Sequence, residues 1–157
     1  MYKKILVPYD KSVPAQHALV TAIELASGSE SAFITALYVT DMMDFDDATF
    51  EIAARMAGIP PISDEDARVA RQNYFNAQKD AVCKGIEELA VDLPDNVELE
   101  VTIVGGHPAE VISKFVKDKD YDCIVMGRRG LGALRGALGS VSYAVLRSTD
   151  LPVLVVK

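Results

Sequence analysis

With 157 residues, half of them hydrophobic, the chain is long enough for one compact domain with a substantial core. Its formal net charge of −7 argues against nucleic acid as the main partner, because binding a phosphate backbone needs a basic face. No apolar run approaches the roughly 18 residues of a membrane span, and the apolar stretch at the N-terminus is too short for a signal peptide, so we expect a cytoplasmic protein without a membrane partner.

Strand-like and helix-like segments alternate along the chain. The predicted strands cover residues 4–7, 32–39, 97–104, 122–126 and 152–156. The predicted helices cover residues 14–26, 67–89, 108–116 and 140–147. This alternation predicts a doubly wound α/β fold, with a five-stranded parallel sheet of order 3-2-1-4-5 and helices on both faces. Ligands of such sheets bind beyond the carboxyl ends of the strands, which places residues 8–10, 39–41 and 126–127 at one candidate site.

A segment rich in glycine and arginine follows the fourth strand. Residues 127–139, here called the glycine–arginine loop, contain five glycines and three arginines, and the loop leads into a helix at Ser140. Glycine lets backbone N–H groups approach a ligand, and a helix N-terminus adds unpaired donors. Together with guanidinium groups these features favour phosphate binding. The alternative is a surface connection that needs glycines only for turning.

Two common nucleotide motifs do not fit this loop. The dinucleotide fingerprint G-x-G-x-x-G follows the first strand of its fold, whereas the first strand here runs into Val7-Pro8-Tyr9-Asp10-Lys11-Ser12, without glycine. The P-loop needs Gly-Lys-Ser/Thr, and that triplet is absent from the sequence. The remaining pattern is Gly127-x-x-Gly130, then eight residues, then Gly139-Ser140.

This pattern resembles the ATP-binding signature of the universal stress protein family, G-x2-G-x9-G-S/T, with a spacer one residue shorter. The similarity extends along nearly the whole chain. The matching segments are residues 3–10 with Ser12, 37–39, 106–109, 122–127, 139–142 and 152–156. The resemblance implies the adenine nucleotide alpha hydrolase-like fold, a single domain over residues 1–157, and a stress-response or regulatory protein that binds ATP, with Mg²⁺ accompanying the triphosphate.

The resemblance also implies a set of binding residues. They are Pro8, Asp10, Val39, Met126, Gly127, Arg129, Gly130, Gly139, Ser140 and Val141. In this prediction Pro8 and Asp10 contact the nucleoside, with Asp10 accepting hydrogen bonds from the ribose hydroxyls.

Val39 and Met126 are expected to line the adenine pocket. Backbone N–H groups of the glycine–arginine loop and of the following helix start, with the Ser140 hydroxyl, are expected to hold the phosphates, and Arg129 to assist electrostatically. The short spacer leaves Arg135 without an assigned role, and the sequence names no protein ligand for Mg²⁺.

Two positions depart from the family pattern. Lys11 stands where the family usually has glycine, and Arg128 where a small residue such as serine is common. Both changes are expected to add positive charge near the phosphates, and the bulk of Lys11 to narrow the pocket. With the short spacer, Lys11 supports an alternative: a universal stress protein that has lost nucleotide binding and acts as a dimeric interaction module.

Catalytic and metal sites find little support in the sequence. His17 is expected on a helix surface and His107 at a helix start, and neither has the partners of a nucleophilic triad. The aspartates of residues 41–47 lack the order of a calcium loop. Cys83 and Cys123 are expected to be buried thiols. An enzyme is therefore not expected, beyond slow hydrolysis of bound ATP.

Two segments concern assembly. Residues 41–64 mix methionines and aromatic residues with acids and include a possible short helix at 48–57, which suits either a lid over the nucleotide or a docking surface for a partner. Residues 152–157 form an apolar last strand at the edge of the predicted sheet. Two copies pairing these strands about a two-fold axis would form a homodimer, which the resemblance also implies.

Overall fold

The computed structural model describes residues 2–40, 55–56, 58, 63–130 and 138–157. In chain order its elements are β1 Lys4–Pro8, α1 Val13–Ser27, β2 Ala32–Thr40, α2 Asp64–Leu89, β3 Val97–Gly105, α3 Pro108–Asp118, β4 Cys123–Gly127, α4 Ser140–Ser148 and β5 Val153–Val156. The lid-like loop and short helix predicted within residues 41–64 lie largely outside the described residues. Asp64, the last residue of that predicted loop, is the first residue of α2.

The five strands form one sheet of order β3-β2-β1-β4-β5. Every neighbouring pair is parallel. The predicted fold class and strand order are therefore confirmed. Because the strand order reverses beside β1, the carboxyl ends of β1, β2 and β4 border a crevice of the kind in which α/β folds bind ligands.

The sheet is buried on both faces, which explains its apolar central strands. In β1, Ile5 and Val7 face a core shared with α1 and α2, whereas Leu6 faces a second core shared with α3 and α4. All three side chains are fully buried. A strand covered on both sides reads as a continuous apolar run, so residues 5–7 show no polar alternation.

Helix α1 begins where the sequence predicts. The Ser12 hydroxyl accepts a hydrogen bond from the Ala15 amide at 3.3 Å, and Pro14 lies in the first turn. Ala15, Ala18 and Ala22 are among its buried residues. These small side chains bring the helix axis close to β1 and β4, so α1 starts directly beside the crevice.

The buried face of α2 differs from the prediction. The helical spacing of Ala70, Tyr74, Ala77 and Ala81 in the sequence predicts that they form the apolar face of this helix, yet all four are exposed. Val82 and Ile86, in the C-terminal half of the helix, carry its contact with the core. Alanine gives only a weak periodic signal, and helix packing overrides such a signal. None of the described helices is long and apolar enough to cross a membrane.

The start of β4 is tied to the start of β1. The Asp122 carboxylate accepts hydrogen bonds from the backbone amides of Lys3 and Lys4, at 2.7 and 2.8 Å. These two bonds lower the pKa of Asp122, because they stabilise its charged form. Beside it, the Tyr121 hydroxyl donates a buried hydrogen bond of 2.9 Å to the Thr35 hydroxyl of β2. These contacts connect the start of β4 to both β1 and β2.

Candidate functional site

A cleft of about 550 Å³ opens at the carboxyl ends of the central strands. Its lining comes from the ends of β1, β2 and β4, the first turns of α1, α3 and α4, and both ends of the glycine–arginine loop. The middle of that loop, residues 131–137, lies outside the described part of the chain. The cleft therefore occupies the place at which parallel α/β sheets bind ligands.

One wall of the cleft is apolar. Its side chains are Pro8, Leu37, Val39, Pro108, Ile112 and Met126. Leu37, Ile112 and Met126 belong to the core between the sheet and α3 and α4, and each is at most 3% exposed. The wall is therefore a continuation of the core, and a rigid apolar surface of this kind suits a flat aromatic group.

The turn after β1 brings the carboxylate of Asp10 to the cleft. The Ser12 amide donates to Asp10 Oδ1 at 3.0 Å, which closes a turn around Lys11. Lys11 has a φ of +67°, a conformation that favours glycine. The same Ser12 caps α1, so the position of Asp10 is fixed to the start of that helix.

Gly130 lies directly against Asp10. A Cβ atom at residue 130 would overlap Asp10 Oδ2. Glycine therefore leaves room here for the carboxylate that follows another strand, and a larger residue would displace that carboxylate. The contact joins the loop after β4 to the loop after β1, and both residues line the cleft.

Gly127 and Gly139 also meet protein atoms. A Cβ at Gly127 would lie 2.8 Å from the backbone carbon of Pro14, and a Cβ at Gly139 would lie 3.0 Å from the Cα of Arg129. The Gly139 amide donates to the Arg128 carbonyl at 2.9 Å, and the Arg128 amide donates to the Val156 carbonyl of β5 at 2.6 Å. These contacts close the glycine–arginine loop at its base.

Helix α4 points its N-terminus into the cleft. Gly139 is the N-cap, and the first intrahelical bond runs from the Tyr143 amide to the Gly139 carbonyl at 2.9 Å. The amides of Ser140, Val141 and Ser142 precede that bond, and all three residues line the cleft. Amides at this position carry the partial positive charge of the helix end. The Ser142 hydroxyl donates to the Gly127 carbonyl at 3.0 Å, which holds α4 against β4.

Comparison with known proteins identifies the family. The model of the universal stress protein family matches residues 1–157. The chain belongs to the universal stress protein family. It is 32% identical to a universal stress protein of Methanocaldococcus jannaschii over 162 residues, covering all of this chain and 96% of the relative.

Solved structures agree. The UspA universal stress protein from Lactobacillus plantarum is 26% identical, with a TM-score of 0.75, and the match covers 99% of this chain and 98% of that one. A universal stress protein in complex with cAMP has the same fold, with a TM-score of 0.66 at 20% identity; the match covers 99% of this chain and 96% of that one.

In this universal stress protein, every residue of the predicted binding set lines the same cleft. They are Pro8, Asp10, Val39, Met126, Gly127, Arg129, Gly130, Gly139, Ser140 and Val141. Their sequence separation reaches more than a hundred residues, so their convergence depends on the parallel sheet. That they bind a nucleotide stays a prediction.

The structure adds detail at three positions considered in the sequence. The Gly139 amide donates to the Arg128 carbonyl and so is already bonded within the loop, and its predicted hydrogen bond to a phosphate stays a prediction. The Lys11 side chain extends over the Tyr38 ring, on the other face of the sheet, and does not line the cleft. The expected narrowing of the pocket by Lys11 is therefore absent. His107 is exposed at the N-cap of α3, without a side-chain capping bond, whereas the next residue, Pro108, lines the cleft.

Several lining residues were missed by the sequence analysis. They are Ala15, Leu37, Pro108, Ile112, Leu138 and Ser142, whereas Tyr9 belongs to the predicted strand end 8–10. A periodic signal existed for two of them: Leu37 lies two residues before Val39 on one strand face, and Ile112 lies one turn after Pro108. Ala15 carries no such signal, because only the packing of α1 on β4 brings it to the cleft.

The pKa of Tyr9, which lines the cleft, is raised by its surroundings. Burial raises the pKa of Tyr9, and the nearby charges of Asp10 and Glu88 raise it further. The hydroxyl therefore stays protonated at neutral pH.

Within the described residues there is no group of three or more His, Cys, Asp or Glu side chains that could hold a metal ion.

Proposed function

We propose that this universal stress protein binds ATP in the cleft and acts as a regulatory or stress-response domain. One observation carries the proposal: an apolar wall, a carboxylate and a helix N-terminus face the same cleft of about 550 Å³. A nucleotide can use all three: its flat base packs on an apolar wall, its sugar hydroxyls donate to a carboxylate, and its phosphates accept from a helix N-terminus. The fold shared with the cAMP-bound universal stress protein is compatible with an adenine nucleotide.

The nucleoside would use the strand ends. Adenine would lie against Val39 and Met126, where burial of its faces removes apolar area from water. Asp10 would accept hydrogen bonds from the ribose hydroxyls through the oxygen that the Ser12 amide leaves available. A hydroxyl donating to a carboxylate forms a charge-assisted bond, about twice as strong as a neutral one.

The phosphates would use the helix start. The amides of Ser140 and Val141, the Ser140 hydroxyl and the backbone of Gly130 supply donors, and the Arg129 guanidinium supplies a fixed positive charge. Mg²⁺ would enter with the triphosphate and neutralise part of its charge. No residue of the described chain is assigned to it as a ligand.

The described residues of the site offer binding groups, and among them we find no arrangement suited to fast chemistry. A hydrolase would place a general base within hydrogen-bond reach of the attacking water, and the exposed His107 does not line the cleft. We propose a binding protein whose turnover of ATP is at most slow.

The short spacer still supports the alternative function, an interaction module that binds no nucleotide. The second argument for it, the bulk of Lys11, is weakened because that side chain leaves the cleft. The two functions differ in one measurable property, the affinity for ATP.

Calorimetric titration of the purified protein with ATP and Mg²⁺ tests the proposal. We expect saturable binding, and we expect Asp10→Ala to weaken it about ten- to a hundredfold through loss of a charged hydrogen bond. Asp92→Ala, at an exposed aspartate outside the cleft, is the matched control and should bind like the parent. Absence of ATP binding by the folded parent would favour the alternative function.

We also propose a homodimer formed through the last strand, residues 152–157. The two edges of the sheet differ: β3 carries the exposed acids Glu98 and Glu100, whereas β5 presents Leu154, an apolar side chain that is 43% exposed. Charged residues at an edge oppose strand pairing, and an apolar edge favours it. The β5 edge is therefore the one suited to a second copy.

Helix α1 extends the same surface. His17 Nδ1 lies 3.0 Å from the Lys157 carbonyl, so this side of α1 borders the end of β5. Val13 and Val20, one turn before and after His17, are 59% and 38% exposed. Two copies that pair β5 antiparallel would cover this apolar stripe as well.

Light scattering at micromolar concentration measures the assembly. We expect twice the 17.0 kDa chain mass for the parent and a single-chain mass for Leu154→Lys. Val91→Lys, at a residue that is 78% exposed beyond the end of α2, is the control and should remain dimeric. A parent that stays monomeric would refute the dimer without bearing on ATP.

The remaining predictions concern the chain as a whole. The family match over residues 1–157 supports a single domain. The role of residues 41–64, either a lid over the nucleotide or a docking surface for a partner, stays a prediction. Residence in the cytoplasm, which the sequence favours, stays a prediction.

A further inference from the structure

Lys11 occupies the centre of the turn that presents Asp10 to the cleft. Its own side chain leaves in the opposite direction, since it lies outside the cleft lining and crosses the ring of Tyr38. Its φ of +67° is unfavourable for any residue with a Cβ. A lysine retained in this conformation needs contacts that hold it there.

Those contacts lead to α2. Lys11 Nζ donates to Gln78 Oε1 at 2.9 Å and lies 5.2 Å from the centre of the Tyr38 ring. Gln78 Nε2 in turn donates to the Tyr74 hydroxyl at 2.8 Å, which orients the amide so that its oxygen faces the lysine. The ammonium is thus held by one amide oxygen and one aromatic face.

The backbone of Lys11 is held as well. Gln16 Nε2 donates to the Lys11 carbonyl at 3.3 Å, and the next residue, Ser12, donates its amide to Asp10 Oδ1. Lys11 therefore links α2 on one side to the Asp10 turn on the other. A side chain fixed at both ends restricts the rotation of the turn, and so the direction of the Asp10 carboxylate.

We propose that Lys11 is a positioning residue for the ribose-binding carboxylate: through Gln78 it ties the Asp10 turn to α2 and holds Asp10 against Gly130. The inference rests on the proposed binding of ATP for its functional meaning. Lys11 would act without touching the nucleotide. Its ammonium contacts Tyr38 and Gln78, on the face of the sheet away from the proposed phosphate site.

ATP titration of three variants tests the link. Lys11→Met keeps an unbranched side chain of nearly the same length and removes its donor, and Gln78→Leu removes the acceptor. Each is expected to lower ATP affinity about three- to tenfold, by loss of one hydrogen bond that orients the site. The double variant should be no weaker than either single variant, because both changes break the same contact.

Two further variants separate positioning from general damage. Lys11→Arg can still reach Gln78 and should recover most of the affinity. Lys79→Met, at an exposed lysine next to Gln78 on α2, should bind like the parent. Additive losses in the double variant, or Lys11→Met binding as tightly as the parent, would overturn the proposal.

Hydrogen exchange of the Ser12 amide gives a readout that needs no nucleotide. That amide is protected by Asp10 Oδ1, so Lys11→Met and Gln78→Leu should speed its exchange while the amides of β1 exchange as in the parent. Unchanged Ser12 exchange would refute the tether even if the parent binds ATP. If the parent binds no ATP, the proposed function fails, and the Ser12 amide still decides whether Lys11 positions the turn.

Discussion

The carboxylate of Asp10 occupies the space in which the side chain of any residue other than glycine at position 130 would begin. The two residues are 120 positions apart in sequence and follow two different strands, β1 and β4, which are neighbours in the sheet. The contact joins the residue proposed to hold the ribose to the loop proposed to hold the phosphates.

Gly130→Ala should therefore act on binding more than on folding. The added methyl group would displace the Asp10 carboxylate, and we expect ATP affinity to fall about tenfold or more through the lost charged hydrogen bond. Gly130 is exposed, so the midpoint of thermal unfolding should change little. Titration calorimetry together with a melting curve measures both quantities, and parent-like affinity would show that Asp10 is not placed by this contact.

Gly127→Ala should instead destabilise the fold. Its Cβ would lie 2.8 Å from the backbone carbon of Pro14 and 2.9 Å from the Ala15 amide nitrogen, so α1 would have to move away from β4. We expect a loss of about 1–3 kcal/mol in the free energy of unfolding, the usual cost of overpacking a core. Urea denaturation measures it.

Gly85→Ala is the matched glycine substitution and should have the opposite sign. Gly85 lies inside α2, and its new Cβ would meet the Tyr9 hydroxyl at 3.5 Å, an ordinary contact distance. Alanine is favoured over glycine in a helix interior by about 0.5–1 kcal/mol. Urea denaturation showing lower stability for Gly85→Ala would mean that α2 packs more tightly on Tyr9 than this distance implies.

Asp122 predicts a loss of stability in acid. Its pKa is below the ordinary value because the Lys3 and Lys4 amides stabilise the carboxylate. A lowered folded-state pKa gives stability that is complete above the unfolded pKa of about 4 and is lost as pH falls through the folded value. Asp122→Asn should therefore cost about 1 kcal/mol at pH 7, less than a buried charged bond because the side chain is solvated.

The difference in unfolding free energy between parent and Asp122→Asn should shrink as pH falls from about 4 to about 2, since the parent carboxyl then becomes neutral. Urea denaturation series at several pH values measure it. A difference that does not change with pH would exclude the two charged hydrogen bonds as its source.

The two cysteines should differ in reactivity. Burial, with a smaller effect of the Asp122 charge, raises the pKa of Cys123 to about 11, and the side chain is 2% exposed. Roughly one thiol in a thousand is then ionised at pH 8. Cys83 is only partly buried, so the expectation that both thiols are buried holds for Cys123 alone.

Iodoacetamide at pH 8 should therefore modify Cys83 in the folded protein and leave Cys123 intact until urea is added. Peptide mass spectrometry distinguishes the two sites. Equal labelling of both cysteines without urea would mean that the core around Cys123 opens readily.

Local sequence patterns were sufficient to predict the strands and helices and their order along the chain. The apolar run at residues 5–7 had to be a strand buried on both faces, and Ser12 with Pro14 marked the start of α1. The family resemblance then supplied the ten cleft residues, from Pro8 to Val141, that the structure brings together. These signals are local in sequence, because caps and strand periodicity depend on a few neighbouring residues.

The partners of those residues were decided only by the tertiary structure. Nothing near Gly130 in sequence indicates that it faces Asp10, and nothing near Lys11 indicates that its ammonium reaches Gln78 and leaves the cleft. The sequence also did not indicate that the first half of α2 is exposed, because its alanines fit either face of a helix. Contacts between residues 67 or 120 positions apart exist only once the parallel sheet has placed the strand ends side by side, and no short-range pattern encodes that placement.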